Sequence, residues 1–230
     1  MVISMVNCYE EFCEELLKSG FSMGGGNAKG IYAVIPFDWK TTIPDCPVVW
    51  HTGNLETDPW EWRMRVLEER EDIAYGKLFF GAAGYITKEW YPYFLVVRRK
   101  GLTFDEWYYE GNASLLEKKI YDFIEQNEHM ALHDLKRECE ITKENAAQFD
   151  KALTNLQKKL FITMCGRRQR VSSLGKPYGW NSTVFTTVEK FWGEDLTADI
   201  SYDEAYAKIR EQIICLNPNA KEKDIKKFIL

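Results

Sequence analysis

Apolar residues recur with helical spacing in the middle of the chain. The repeat of three to four positions over residues 115–127 and 143–160 predicts two amphipathic helices. Ser114 opens the first with a capping box, and Thr142 is predicted to cap the second. A shorter apolar helix is predicted between them, over residues 131–138. This order of helices is typical of a helix-turn-helix.

Two runs of β-branched and aromatic residues follow the second long helix, at residues 161–165 and 182–187, and predict two strands. Between them, residues 165–180 read CGRRQRVSSLGKPYGW, a basic stretch rich in glycine and serine that predicts a loop. Two strands joined by a basic loop after a helix-turn-helix make a winged helix. The loop would be its wing.

The flanking regions also contain helix signals. Residues 7–19 and 59–72 are predicted helices, the second because Asp58 precedes Pro59 at a helix start. Residues 201–215 follow a further capping box, and a short lysine-rich helix ends the chain. We expect a mostly helical α+β fold, in which a winged helix-turn-helix domain packs against an aromatic-rich N-terminal α/β region. A tandem winged helix is the alternative.

Charge divides the chain into three predicted domains. Residues 1–110, the aromatic-rich region, carry a net charge of −6, and residues 193–230, the C-terminal helical extension, carry −2. Residues 111–192, the winged-helix domain, carry +3 in a chain whose total is −5. An anionic partner is therefore expected to bind the middle region.

Double-stranded DNA is the partner that this pattern favours. Amides on the exposed face of the helix over residues 143–160 can contact base edges, while lysines there and wing cations can contact phosphates. The candidate residues are Gln148, Lys151, Asn155, Lys158, Arg167, Arg168, Arg170 and Lys176. An ordinary solvated face, or a winged helix that binds protein, is the competing interpretation.

Three stretches together resemble a known family. They are LETDPWEWRMRVLEER, YGKLFFGAAGYITKEWYPYFLVVRR and the winged helix with PYGW near its end. Over residues 45–190 the chain resembles the AlkZ-like winged-helix DNA glycosylases, and more narrowly the short bacterial proteins called AlkZ-related. The resemblance implies tandem winged helices around a DNA-binding concavity. It also implies hydrolysis of the N-glycosidic bond of alkylated or crosslinked bases.

The family's catalytic motif is Gln-x-Gln or Gln-x-Asp, in many members directly before Asp-Pro. Matched on Asp58 and Pro59, the two polar positions are Leu55 and Thr57, so the signature is missing. Nearby carboxylates are the substitute candidates for orienting water and facing a developing cation, namely Glu56, Asp58 and Glu61. Helix capping is the competing role for Asp58, and a solvated carboxylate is the competing interpretation for the other two.

Four tryptophans near these stretches are candidates for stacking on an extruded base, since a glycosylase must take its base out of the duplex. They are Trp50, Trp60, Trp62 and Trp90. Burial in a core is the alternative for each of them. His51 would be a polar contact if it joined them in a pocket.

The remaining composition mainly excludes classes of protein. No stretch is long and apolar enough to span a membrane, and the N-terminus does not read as a signal peptide, so we expect a cytoplasmic protein. The six cysteines include no CxxC pair, and the three histidines have no ligand set beside them. Neither a metal nor another cofactor is expected.

Three functions stay open from the sequence. The first is a winged-helix DNA-binding protein related to the AlkZ-type glycosylases, which recognises damaged DNA and whose catalytic competence is undecided. The second is an active DNA glycosylase that uses Glu56, Asp58 or Glu61. The third is a non-catalytic regulatory module that binds a protein partner.

Overall fold

The helices and strands of the chain form two compact units. The computed structural model describes residues 6–26, 30–172, 174–193 and 196–230. The first unit joins Met1–Lys100 with Thr197–Leu230, and the second spans Gly101–Leu196. The three predicted domains stay a prediction, because this grouping describes spatial proximity and not independent folding.

The elements follow one another as α1 (Tyr9–Ser19), β1 (Phe21–Met23), α2 (Pro59–Glu69), β2 (Ile73–Phe79), β3 (Ala82–Thr87), α3 (Tyr91–Arg99), α4 (Phe104–Tyr109), α5 (Leu115–Gln126), β4 (Met130–Ala131), α6 (Leu132–Glu138), α7 (Ala146–Lys158), β5 (Ile162–Val171), β6 (Pro177–Thr187), α8 (Val188–Trp192), α9 (Tyr202–Leu216) and α10 (Glu222–Ile229). The fold is α+β, as expected. No helix within the described residues is long and apolar enough to cross a membrane.

The first unit is built on a small antiparallel sheet with the strand order β1-β3-β2. Aromatic rings fill its core: Phe79 stacks on Phe228 with ring centroids 3.8 Å apart, and Phe12 lies 5.0 Å from Trp62. Such rings bury large apolar areas and dominate core energetics. The aromatic-rich composition of this region is therefore used mainly for packing.

A buried arginine ties the end of the chain to this core. Arg98 is 2% exposed, and its guanidinium donates to the carbonyls of Leu78, Phe228 and Ile229 at 2.7–3.0 Å. Two of these carbonyls lie at the C-terminal end of α10, where backbone acceptors lack helical partners. Burial lowers the pKa of Arg98 below its usual range, and the three acceptors offset part of that cost.

The second unit carries the sheet β4-β6-β5, in which both neighbouring pairs are antiparallel. Apolar faces of α5 and α7 contribute Ile120, Ile124, Phe149 and Leu153 to its core. The predicted capping box at Ser114 is confirmed. The Ser114 hydroxyl accepts the Glu117 N–H at 3.2 Å, and the Glu117 carboxylate accepts the Ser114 N–H at 2.6 Å.

The start of α7 differs from the prediction. The helix begins at Ala146 after Asn145, so Thr142 is not its cap. The Thr142 N–H donates to the Asn145 side chain at 2.8 Å, and its hydroxyl bonds to Glu144. Thr142 therefore forms local hydrogen bonds before the helix and does not cap it. Serine, threonine, asparagine and aspartate commonly form such local bonds.

The stretch predicted as a loop, residues 165–180, is mostly strand. β5 runs to Val171 and β6 begins at Pro177, and between them the Ser172 N–H donates to the Lys176 carbonyl at 2.9 Å. The pairing register of the two strands shifts between Met164 and Gly166 and again between Arg168 and Arg170. Such shifts are typical of β-bulges. Backbone pairing across the hairpin outweighs the local preference for a turn.

Candidate nucleic-acid interface and motif region

Asp58 is fully buried at the start of α2, in the first unit. Its carboxylate accepts three backbone N–H groups, from His51 at 3.0 Å, Gly53 at 2.9 Å and Trp60 at 2.8 Å. The side chain therefore caps the helix and also fixes the preceding loop. Its catalytic role stays a prediction, and this geometry favours the capping role.

The other two candidate carboxylates lie on either side of Asp58. Glu56 is exposed and pairs with Arg65 at 3.0 Å, while Glu61 is half-buried in the first turn of α2. Arg65 also pairs with Glu69 at 2.9 Å. The structure thus separates the three candidates into one buried cap, one exposed ion pair and one helix side chain.

Only Glu56 of these three lines a cleft of about 470 Å³ in the described part of the chain. The cleft is lined by Tyr9, Glu10, Cys13, Glu14, Leu17, Glu56, Arg65 and Arg70. The Arg65 guanidinium lies over the Tyr9 ring, 3.8 Å from its centroid. Burial raises the pKa of the Tyr9 hydroxyl and of the Cys13 thiol, so both are protonated at neutral pH.

The two residues that match the family's catalytic motif, Leu55 and Thr57, accept hydrogen bonds through their backbone carbonyls. The Leu55 carbonyl accepts the Trp62 indole N–H at 3.1 Å and an Arg65 N–H at 2.7 Å. The Thr57 carbonyl accepts the Val49 N–H at 3.0 Å. The Leu55 side chain is exposed. At the two motif positions, the contacts described here are therefore made by backbone carbonyls and stabilise the loop before α2.

The four candidate tryptophans have different environments. Trp62 is fully buried in the core, which leaves no ring face for a base. Trp90 is half-buried and lies edge-to-face against Phe21, and Trp50 is half-buried against Gly25, where a Cβ would stand 2.6 Å from the indole. Trp60 is exposed. Of the four, Trp60 has the most accessible ring.

His51 joins Trp60 in an exposed cluster with Trp39, which the sequence did not single out. The centroid of the His51 ring lies 4.7 Å from that of Trp60 and 6.2 Å from that of Trp39. Trp39 is 61% exposed. Its position two residues after Phe37, between Asp38 and Lys40, was the only available signal that it faces water.

In the second unit, the predicted DNA-reading residues of α7 are on accessible positions. Gln148 and Lys151 are exposed, and Asn155 and Lys158 are half-buried. The opposite face of the helix, with Phe149, packs into the core. The amphipathic spacing thus placed these residues on the outward side of the helix, as a groove-reading helix would require.

The predicted wing cations are all exposed on the β5–β6 hairpin, which we define as residues 162–187. Arg167, Arg168 and Arg170 lie on β5, and Lys176 directly precedes β6. Arg168 donates to the His129 carbonyl at 3.4 Å. The sequence of the hairpin contains no aspartate or glutamate. The positive charge therefore has no acidic neighbour along the hairpin itself.

Exposed apolar side chains occupy the same end of the hairpin. Trp180 is 95% exposed and Leu174 is 83% exposed, while Tyr178, which pairs in register with Arg170, is half exposed. Exposed apolar groups in this number commonly mark a binding surface. The sequence signal for Trp180 was its place between Gly179 and Asn181, in a stretch without apolar periodicity.

The base of the hairpin is chemically different from its end. Cys165 is half-buried there, with its sulfur 3.7 Å from Nδ1 of His129. Burial raises the pKa of the Cys165 thiol to about 11, and the nearby Arg168 opposes this shift only in part. The thiol is therefore protonated at neutral pH. No cluster of histidine, cysteine and carboxylate that could hold a metal occurs within the described residues.

Comparison with known proteins identifies the family. The model of the AlkZ-related family matches residues 6–230, nearly the whole chain, so the chain belongs to the AlkZ-related family. No protein of curated function matches it. Among solved structures, the DNA glycosylase AlkZ of Streptomyces sahachiroi is similar, with a TM-score of 0.41 and 12% sequence identity. That match covers 74% of this chain and 50% of the glycosylase, so the chain spans half its length.

Proposed function

We propose that this chain is a DNA-binding protein of the winged-helix type that recognises damaged DNA. The second unit would form the winged helix, with α6 and α7 as the helix-turn-helix and the β5–β6 hairpin as the wing. The observation that carries the proposal is the hairpin's composition: exposed cations without any acidic residue, beside exposed Tyr178 and Trp180. Membership of the AlkZ-related family supports DNA as the substrate class.

Phosphate contacts are favoured by cations that no acidic side chain already holds. An arginine held in an ion pair must give up that partner before it contacts a phosphate. Arg170 and Lys176 have no side-chain partner within the described residues, so they are available at no such cost. The outward face of α7 would then contact base edges through Gln148 and Asn155.

The test is a titration of fluorescein-labelled duplexes followed by anisotropy, at about 50 and 200 mM salt. One duplex is intact and the other contains an abasic-site analogue. We expect salt-sensitive binding to both and tighter binding to the abasic duplex. The triple variant R167A/R168A/R170A should bind more weakly, with the salt slope reduced by about 0.9 for each phosphate contact that is lost.

The matched control removes three cations from α10 in the first unit. The variant K223A/K226A/K227A changes the net charge of the chain by the same amount, and all three lysines are exposed. We expect it to retain nearly all of the affinity and the slope. Equal effects of the two variants would mean that net charge alone attracts DNA. No binding of the wild type at low salt would favour the alternative of a protein partner.

Base excision by Glu56 is a second candidate function, favoured by its position beside the cleft in the first unit. A carboxylate held by Arg65 at the edge of a cleft can orient a water for attack on a sugar carbon. Release of alkylated bases from a labelled duplex tests it. Glu56→Gln should lower the rate by about 100-fold or more without weakening DNA binding. Absence of excision by the wild type would exclude this function for the substrates tested.

A further inference from the structure

A row of side chains in edge-on or tilted contact crosses the surface of the first unit beside the start of α2. The Arg63 guanidinium lies over the Trp60 indole, 3.4 Å from the ring centroid, and the His51 ring lies 4.7 Å from Trp60. Trp39 continues the row at 6.2 Å from His51. We call Trp39, His51, Trp60 and Arg63 the aromatic row. None of its rings takes part in the core of the unit.

A single buried carboxylate oxygen binds the backbone of two members of the aromatic row. Oδ1 of Asp58 accepts both the His51 N–H, at 3.0 Å, and the Trp60 N–H, at 2.8 Å. His51 has a φ of 62°, in the left-handed region that a residue with a side chain rarely adopts. Such a conformation costs on the order of 1 kcal/mol and persists only where the surroundings impose it. Asp58 thus fixes the backbone from which the His51 and Trp60 rings project.

The outer end of the row is open to solvent and lies beside a lysine. Trp39 is the most exposed ring, and the Lys40 ammonium lies 5.2 Å from its centroid. The nearest acid in sequence, Asp38, is engaged in a turn, where it accepts the Lys40 N–H at 3.0 Å and the Thr41 hydroxyl at 3.1 Å. Cations therefore flank the row at Lys40 and at Arg63.

We propose that the aromatic row is a binding site for an unpaired nucleobase, which stacks on Trp39 while Lys40 and Arg63 contact the neighbouring phosphates. A flat, exposed ring flanked by cations matches a nucleotide, which has an aromatic face and an anionic backbone. In an intact duplex each base face is covered by its neighbours. The site therefore selects bases that are unstacked, as in single strands, bulges or extruded positions.

The inference rests on the proposed function only for the class of partner, nucleic acid. It uses residues of the first unit, whereas the proposed duplex contacts belong to the second. It also gives Asp58 a role that differs from catalysis. The His51 ring lies near Trp39, Trp50 and Trp60, and a glycine at this position would remove both the strained φ and the ring.

The experiment uses the full chain and a 12-nucleotide single strand that carries one 2-aminopurine, whose fluorescence falls when it stacks. Titration with the wild type should quench the fluorescence. Trp39→Ala should weaken binding by about 5- to 100-fold, the range for removal of one stacking aromatic. Tyr109→Ala, which removes an 81% exposed aromatic from the second unit, is the matched control and should leave binding unchanged.

His51→Gly separates a binding role from a structural one. Glycine adopts a φ of 62° without strain, so the melting temperature should be unchanged or higher, while strand binding falls by about 5-fold or more. No quenching by the wild type, or equal binding by Trp39→Ala, would overturn the proposal. Binding of the R167A/R168A/R170A variant to the intact duplex is measured in a separate titration. Failure of one proposal therefore leaves the other testable.

Discussion

Three arginines of the first unit and Arg170 of the β5–β6 hairpin are used in opposite ways. In the first unit Arg65 pairs with Glu56 and Glu69, Arg70 pairs with Asp72 at 2.6 Å, and Arg98 is buried among backbone carbonyls. On the β5–β6 hairpin of the second unit, Arg170 has no side-chain partner within the described residues. The same residue type is thus paired or buried at these three positions and left available at Arg170.

The difference indicates which charges belong to the fold and which to a partner. A buried guanidinium must satisfy its donors inside the protein, because desolvation of an unpartnered charge is costly. An exposed arginine without a partner adds little to stability. The exposed cations of the β5–β6 hairpin, whose sequence contains no acid, are the ones that we assign to duplex DNA.

The largest expected effect comes from the buried arginine. Arg98→Met removes the donors to Leu78, Phe228 and Ile229 and leaves their carbonyls unsatisfied, so we expect a loss of about 3 to 5 kcal/mol in the free energy of unfolding. Urea denaturation followed by circular dichroism measures this loss.

Arg170→Met is the matched control on the hairpin. It deletes the same charge and introduces the same side chain as Arg98→Met. We expect the free energy of unfolding to change by less than about 0.5 kcal/mol. If the two variants were equally destabilising, Arg170 would be a structural residue. The contrast between Arg98 and the hairpin arginine would then fail.

The second prediction concerns Asp58, which is buried and polar like Arg98 but fixes a helix start. Asp58→Ala removes a helix cap and leaves the N–H groups of His51 and Gly53 without their acceptor, which should cost about 2 kcal/mol. Glu61→Ala, in the first turn of the same helix, should cost less than 1 kcal/mol. The unfolding free energies of both variants measure this difference.

Recovery by Asp58→Asn sharpens the interpretation. Asparagine keeps one acceptor oxygen and is a good cap, so about half of the lost stability should return. If Asp58→Ala were as stable as the wild type, the carboxylate would have no structural role, and its assignment as a catalyst would gain support.

The sequence was most informative where local interactions decide the structure. The capping boxes at Ser114 and Ser201 and the Asp58-Pro59 helix start are confirmed, because each depends on side chains within three residues of a helix end. The apolar spacing also placed Phe149 inside and Gln148 outside. These features need no information about distant parts of the chain.

Structure that depends on distant contacts was not predictable in the same way. The hairpin extends through the basic stretch because β6 supplies backbone partners, and local composition alone favoured a loop. In the sequence, Arg98 is the first of three successive cations, which gives no sign of burial. Its hydrogen bonds to the distant α10 explain why it is buried. The aromatic row likewise joins Trp39 to Trp60, whose proximity no sequence period encodes.

The smallest expected effect on stability comes from Trp180, the most exposed large side chain of the hairpin. Trp180→Ser should change the free energy of unfolding by less than about 0.5 kcal/mol, because a ring that is 95% exposed has almost no packing to lose. Trp62→Ala in the first unit, where the ring is fully buried, should instead cost about 3 to 5 kcal/mol. The DNA affinity of the Trp180→Ser variant tests whether this ring binds DNA. We expect binding to the abasic duplex to weaken by about 5-fold or more, at unchanged stability. A stable variant with full affinity would show that the hairpin binds DNA through its cations alone.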